Sequence, residues 1–133
     1  MTLDQWLEVL NSRVFFWLDR THLETLMGAR AYRDRAHDVI EIDTARLLER
    51  ERDEITLSPI NSGNTMYNPR PRGSRTFLPI ADYPFEDRRK ARGLRSAVVE
   101  LAVTHGVAEI GNVVARVERR RAGCAAEAVL WER

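Results

Sequence analysis

The sequence predicts an α+β fold, a single domain with a mixed, largely antiparallel sheet and short helices. Three observations predict it. Short runs of β-branched and aromatic residues recur along the chain. Capping residues precede short amphipathic stretches. Strands and helices do not alternate strictly, as a regular βαβ sheet would require. The 133 residues are the size of one ordinary domain, so residues 1–133 are read as one, with no internal repeat.

Thr2 and Gln5 form a capping-box pattern ahead of Leu3, Trp6, Leu7 and Leu10, which predicts a helix ending near Asn11. Val14 to Trp17 is a compact apolar run, read as a buried strand whose Phe15, Phe16 and Trp17 belong to the core. Thr21 and Glu24 form a second capping box, with Leu23, Leu26 and Met27 as the apolar stripe and Gly28 near the end. Val39, Ile40 and Ile42 predict a strand. Asp43 or Thr44 caps a helix carrying Leu47 and Leu48. Ile55 and Leu57 alternate with polar neighbours, as in a half-buried strand. Residues 58–75 are too rich in Pro, Gly and Asn for regular structure, so they form a loop that is either functional or mobile. Thr76 to Ile80 returns to the core, Asp82-Tyr83-Pro84 turns, and Phe85 to Arg92 is a polar helix. Ala97 to Val103 is the most apolar strand. Val113 to Glu118 and Ala126 to Trp131 make a hairpin around Ala122-Gly123.

The hydrophobic fraction, 44%, is enough for a real core, and the 31% of charged residues nearly cancel to +1. Neither an acidic tail nor a dominant basic field is implied. No apolar run approaches bilayer length, so no membrane partner is expected. The start, MTLDQWLEVL, has no basic region and is not read as a signal peptide. Cys124 is the only cysteine, which excludes an internal disulfide and a cysteine-built zinc site and fits a reducing, cytoplasmic location. His22, His37 and His105 lack ligand spacing, so no metal is expected. Lys90 is the only lysine among many arginines, a composition that suggests a bacterial origin.

Glu100 is the first candidate for chemistry. Strand alternation puts it on one face with Val98 and Ala102, opposite Val99, Leu101 and Val103. A carboxylate there is either buried against a polar partner, and then a site candidate, or turned to solvent on a wet face. The 58–75 loop is the second. Asn61, Ser62 and Gly63 can approach a ligand closely, and Arg70, Arg72 and Arg75 can meet phosphate, unless the loop is a solvated surface segment. The basic run Arg88, Arg89, Lys90, Arg92 and Arg95 is a solvated helix face or a phosphate-backbone contact. Arg119-Arg120-Arg121 is read as a hairpin tip. Ser58, Ser62 and Cys124 have no nearby histidine at nucleophile–base spacing. No glycine-rich phosphate loop is present.

Leu10-Asn-Ser-Arg-Val-Phe-Phe-Trp17, Leu57-Ser-Pro-Ile-Asn-Ser-Gly63, Ile80-Ala-Asp-Tyr-Pro-Phe85 and Val98-Val-Glu-Leu-Ala-Val103 together resemble an uncharacterised bacterial family of unknown function over nearly the whole chain. More distantly, Phe15-Phe16-Trp17-Leu18-Asp19-Arg20 and Val99-Glu100-Leu101-Ala102-Val103, followed by His105-Gly106-Val107, resemble the aromatic-strand and glutamate-strand elements of DarT-type ADP-ribosyltransferases. That resemblance implies an ADP-ribosyltransferase-like fold and NAD-dependent transfer to nucleic acid or protein. It puts Glu100 and Arg20 in the catalytic places and makes NAD the substrate, for which the loop residues Asn61, Ser62, Gly63 and Arg75 are the expected holders.

The uncharacterised family also has an upstream Tyr-His-Met segment followed by His-Gly-Leu-Leu, which this sequence does not contain. In the transferases the equivalent first strand supplies a residue that holds NAD. The expectation is therefore an incomplete domain that binds NAD poorly, with an unpaired sheet edge open to homo-oligomerisation. The alternative is a non-catalytic nucleic-acid- or protein-binding module on the same fold.

Overall fold

A computed structural model of the chain describes residues 1–62, 73, 75–124 and 126–133. Along the chain run helix α1 (Leu3–Asn11), strand β1 (Arg13–Trp17), α2 (Arg20–Met27), β2 (His37–Ile42), α3 (Thr44–Glu51), β3 (Ile55–Ser58), β4 (Leu78–Pro79), α4 (Phe85–Arg92), β5 (Glu100–Thr104), β6 (Val114–Arg120) and β7 (Ala128–Glu132). The fold is α+β, as the pattern predicts. The strands form two antiparallel sheets instead of one, of order β1-β5-β3-β4 and β2-β6-β7. Alternation of side chains reveals a strand and its faces but not its partner, which is chosen by contacts distant in sequence.

The two sheets belong to two compact units. The first comprises Met1–Asp19 and Asp53–Val107, the second Arg20–Arg52 and Ala108–Arg133.

In the first unit, α1 starts with the expected capping box: the Thr2 hydroxyl accepts from the Gln5 amide, and the Gln5 side chain accepts from the Thr2 amide. These bonds satisfy amides that the first turn leaves without partners. Strand β5 lies between β1 and β3, with Glu100 opposite Trp17 on one side and Ser58 on the other. Glu100, Leu101, Ala102 and Val103 are all buried, so both faces of β5 are covered. Strand β1, by contrast, is an edge strand, and Val14 and Phe15 are 38% and 37% exposed. The expectation of a core β1 is therefore corrected: an edge strand has a neighbour on one side only. Phe77 is buried instead, and against it Trp6 stacks with centroids 5.9 Å apart, Phe15 tilts, and the Arg13 guanidinium sits 4.7 Å from the ring centre.

In the second unit, α2 begins at Arg20, so Thr21 lies inside the first turn and not at the cap. Asp43 caps α3, accepting from the Arg46 amide at 3.2 Å. Met27, Leu47, Val113 and Val114 are its buried apolar residues. Strands β6 and β7 are the predicted hairpin, with Gly123 at φ +70° in the connection, where a Cβ would be strained. The arginine triplet lies at the tip end of this hairpin, with Arg119 and Arg120 closing β6 and Arg121 opening the connection. Arg119 pairs with Asp38 and Arg121 with Glu127, while Arg120 is only 8% exposed and donates to Glu24 at 2.7 Å. Arg120 and Glu118 share one face of β6 by alternation, and both are buried.

Candidate functional site

Glu100 opens β5, the inner strand between β1 and β3. The wet-face alternative for it is overturned: Glu100 is 5% exposed and Ala102, on the same face, is 0% exposed. Burying a carboxylate is costly unless donors meet it. Ser62 provides two. Its amide donates to Oε1 at 3.0 Å and its hydroxyl to Oε2 at 2.7 Å. Hydrogen bonds to an ionised acceptor are among the stronger ones, and two from a single residue fix the plane of the carboxylate.

The chain reaches that position through Ser58. The Ser58 side chain, fully buried, donates to the Ile60 carbonyl at 3.2 Å and accepts from the Ile60 amide at 3.4 Å. This local turn competes with continuation of β3 and redirects the backbone after Pro59. The Ser58 carbonyl accepts from the Val99 amide at 2.9 Å, tying the turn to the residue before Glu100. Arg92, in the last turn of α4, donates to the Pro59 carbonyl. The sequence Ser-Pro-Ile-Asn-Ser is therefore a structured, largely buried segment and not the start of a solvated loop.

Tyr83 supports the same region. It is buried, and its hydroxyl donates to the Ala97 carbonyl just before β5. Burial pushes the phenol above its ordinary range, while Arg88 and Arg92 pull the other way. A raised pKa in the fold means that this residue's contribution is intact below the unfolded phenol value of about 10 and is lost as pH rises through the folded value. Tyr83→Phe should cost about 1 kcal/mol at pH 8 in urea unfolding. It should also lose less stability than the wild type between pH 9 and about 11. Parallel losses in the two proteins would contradict a buried Tyr83 donor.

Of the residues singled out by sequence, the structure brings together Glu100 and Ser62, with Asn61 adjacent in chain. Ser62 serves Glu100 directly, a role the sequence reading did not assign. Arg75 is exposed in a turn closed by Gly73 and Thr76, where the Thr76 hydroxyl accepts from the Gly73 amide at 2.9 Å. Arg20 is exposed at the first residue of α2, in the second unit. Gly63, Arg70 and Arg72, and most of the 58–75 loop, lie outside the described residues. Ser58, Tyr83 and Arg92 were missed as supports. The signal for them was present in Ser-Pro and Asp-Tyr-Pro, turn chemistry next to strands, but a turn signal does not say what the turn is held against.

Among the described residues no group of His, Cys, Asp and Glu could hold a metal ion. Among them also, no helix is long and apolar enough to cross a membrane. The model of a family of unknown function, DUF7002, matches residues 1–114. No curated protein and no solved structure matches the chain.

Proposed function

The chain belongs to DUF7002, a family of unknown function, and within it we propose an ADP-ribosyltransferase-like activity centred on Glu100. The observation that carries this reading is a carboxylate 5% exposed at the head of an inner strand, oriented by two donors of Ser62. Fixed orientation of a buried charge is the property that stabilises a developing positive charge without reorganisation. A carboxylate offers about four acceptor positions, and Ser62 donates one bond to each oxygen.

In this reading Glu100 accepts a hydrogen bond from the ribose 2′-hydroxyl next to the nicotinamide bond. That bond breaks, nicotinamide leaves with the electron pair, and Glu100 stabilises the oxocarbenium-like sugar. An acceptor nucleophile then attacks the same carbon, forming the new glycosidic bond and releasing its proton to solvent. In this reading Asn61 and Arg75 hold phosphate. Nucleic acid and protein are the acceptor classes.

A second reading is a non-catalytic nucleic-acid- or protein-binding module, in which Glu100 anchors the 58–62 segment. The 1% exposure of Ser62 favours it, because a carboxylate sealed under a serine is shielded from a ligand. The experiment is calorimetric titration of NAD, followed by mass spectrometry of DNA, RNA and protein incubated with the protein and NAD. The transferase reading expects weak but saturable NAD binding and an added ADP-ribosyl mass on one acceptor. Absence of both gives the binding module.

A further inference from the structure

We propose that one end of the second unit, built by residues 28–36 and the C-terminal end of β6, binds single-stranded nucleic acid through its phosphates and one stacked base. The inference does not rest on the reading of Glu100, which lies in the other unit.

Residues 28–36 join α2 to β2 as a run of tight turns. The amides of Tyr32 and Arg33 donate to the Ala29 carbonyl at 2.8 and 2.9 Å, and that of Arg35 to the Tyr32 carbonyl at 3.0 Å. His37 Nε2 donates to the Tyr32 carbonyl at 2.9 Å, and Arg121 donates to the Asp34 carbonyl at 3.2 Å, so the turn is fastened to both strands beside it. The turn is pre-organised, which lowers the ordering cost of binding.

The charges at this end divide into two sets. Arg119, Arg120 and Arg121 are matched by Asp38, Glu24 and Glu127. Arg30, Arg33 and Arg35 are exposed, and none forms an ion pair with a carboxylate among the described residues. Asp34 is the one acid within their run. The unmatched charge is therefore concentrated on the turn, in guanidinium groups suited to phosphate.

Tyr32 stands among these arginines, 42% exposed, with its ring edge-on to His37 at 5.7 Å between centroids. That contact props the ring while leaving much of it in solvent. An exposed aromatic ring interleaved with cations offers a base-stacking surface beside a backbone-binding one. Duplex DNA keeps its bases paired inside, so the ring favours a single strand.

The test is fluorescence anisotropy with short labelled single-stranded DNA and RNA, the matching duplex and heparin, over a series of salt concentrations beginning at about 50 mM. Single strands are expected to bind with a log–log salt slope near −2, about 0.7 per neutralised phosphate. Replacing Arg30, Arg33 and Arg35 together by Ala should weaken binding at least about tenfold and flatten the slope. Tyr32→Ala should weaken single-strand binding at least about fivefold while leaving heparin binding unchanged. All four positions are exposed, and unchanged melting curves confirm that the variants fold. No single-strand binding at the lowest salt, an unaffected arginine variant, or equal loss of heparin and oligonucleotide on Tyr32→Ala would each overturn the proposal.

Discussion

Glu100→Ala is expected to destabilise the protein by about 3 kcal/mol, because it removes a buried charge whose donors then have nothing to bond. The Ser62 amide would be left in the interior facing a cavity, and its hydroxyl would have to find another acceptor. Glu100→Gln should behave differently. The amide is isosteric, its oxygen can still accept from the Ser62 amide, and its NH₂ can donate to the Ser62 hydroxyl once that hydroxyl rotates. Its cost should be about 1 kcal/mol. Ser62→Ala should lie between the two, since one charge-assisted bond is lost and the amide bond remains. Denaturant unfolding of the three variants gives the order directly. Equal costs for Ala and Gln at position 100 would mean that the hydrogen bonds to Ser62 contribute nothing beyond the volume of the side chain.

The second large effect is expected in the other unit. Glu24→Ala should cost about 3 kcal/mol by stranding the Arg120 guanidinium. That side chain is 10% exposed, whereas Glu24 is 34% exposed, so the arginine bears most of the desolvation. Its Nε and Nη1 already lack hydrogen-bond partners among the described residues. Arg120→Met should cost less, because the glutamate left behind can reach water. The double variant Glu24→Ala with Arg120→Met should recover part of the loss of Glu24→Ala, as replacing both members of a buried pair with apolar groups often does. Strictly additive losses would show that the pair is not coupled.

These two pairs also show where the sequence was legible and where it was not. The helices were readable because their signals are local: the Thr2–Gln5 box, the Asp43 cap and the polar run from Phe85 to Arg92 each lie within a few residues. The β6–β7 hairpin was readable for the same reason. The division into two sheets was not, because β1 and β5 are some 90 positions apart in chain and pair through contacts that periodicity does not encode. Glu100 stood out because a carboxylate in an apolar strand has a cost that must be met. Its donor was not identifiable, since Asn-Ser-Gly reads as ordinary turn chemistry until the turn at Ser58 carries Ser62 back to β5. The burial of Arg120 was within reach: alternation places it beside Glu118 and opposite to Arg119, and a run of three arginines on a strand cannot all face one way.

The most direct measurement of the central claim is release of nicotinamide from NAD by the wild-type protein and by Glu100→Gln, each shown by its melting curve to be folded. Release by the wild type is expected, at a rate at least about a hundredfold higher than that of the glutamine variant, which keeps the shape of the site and loses the charge. Equal rates in the two proteins, or no release by the wild type in the presence of NAD and acceptor, would contradict a catalytic Glu100.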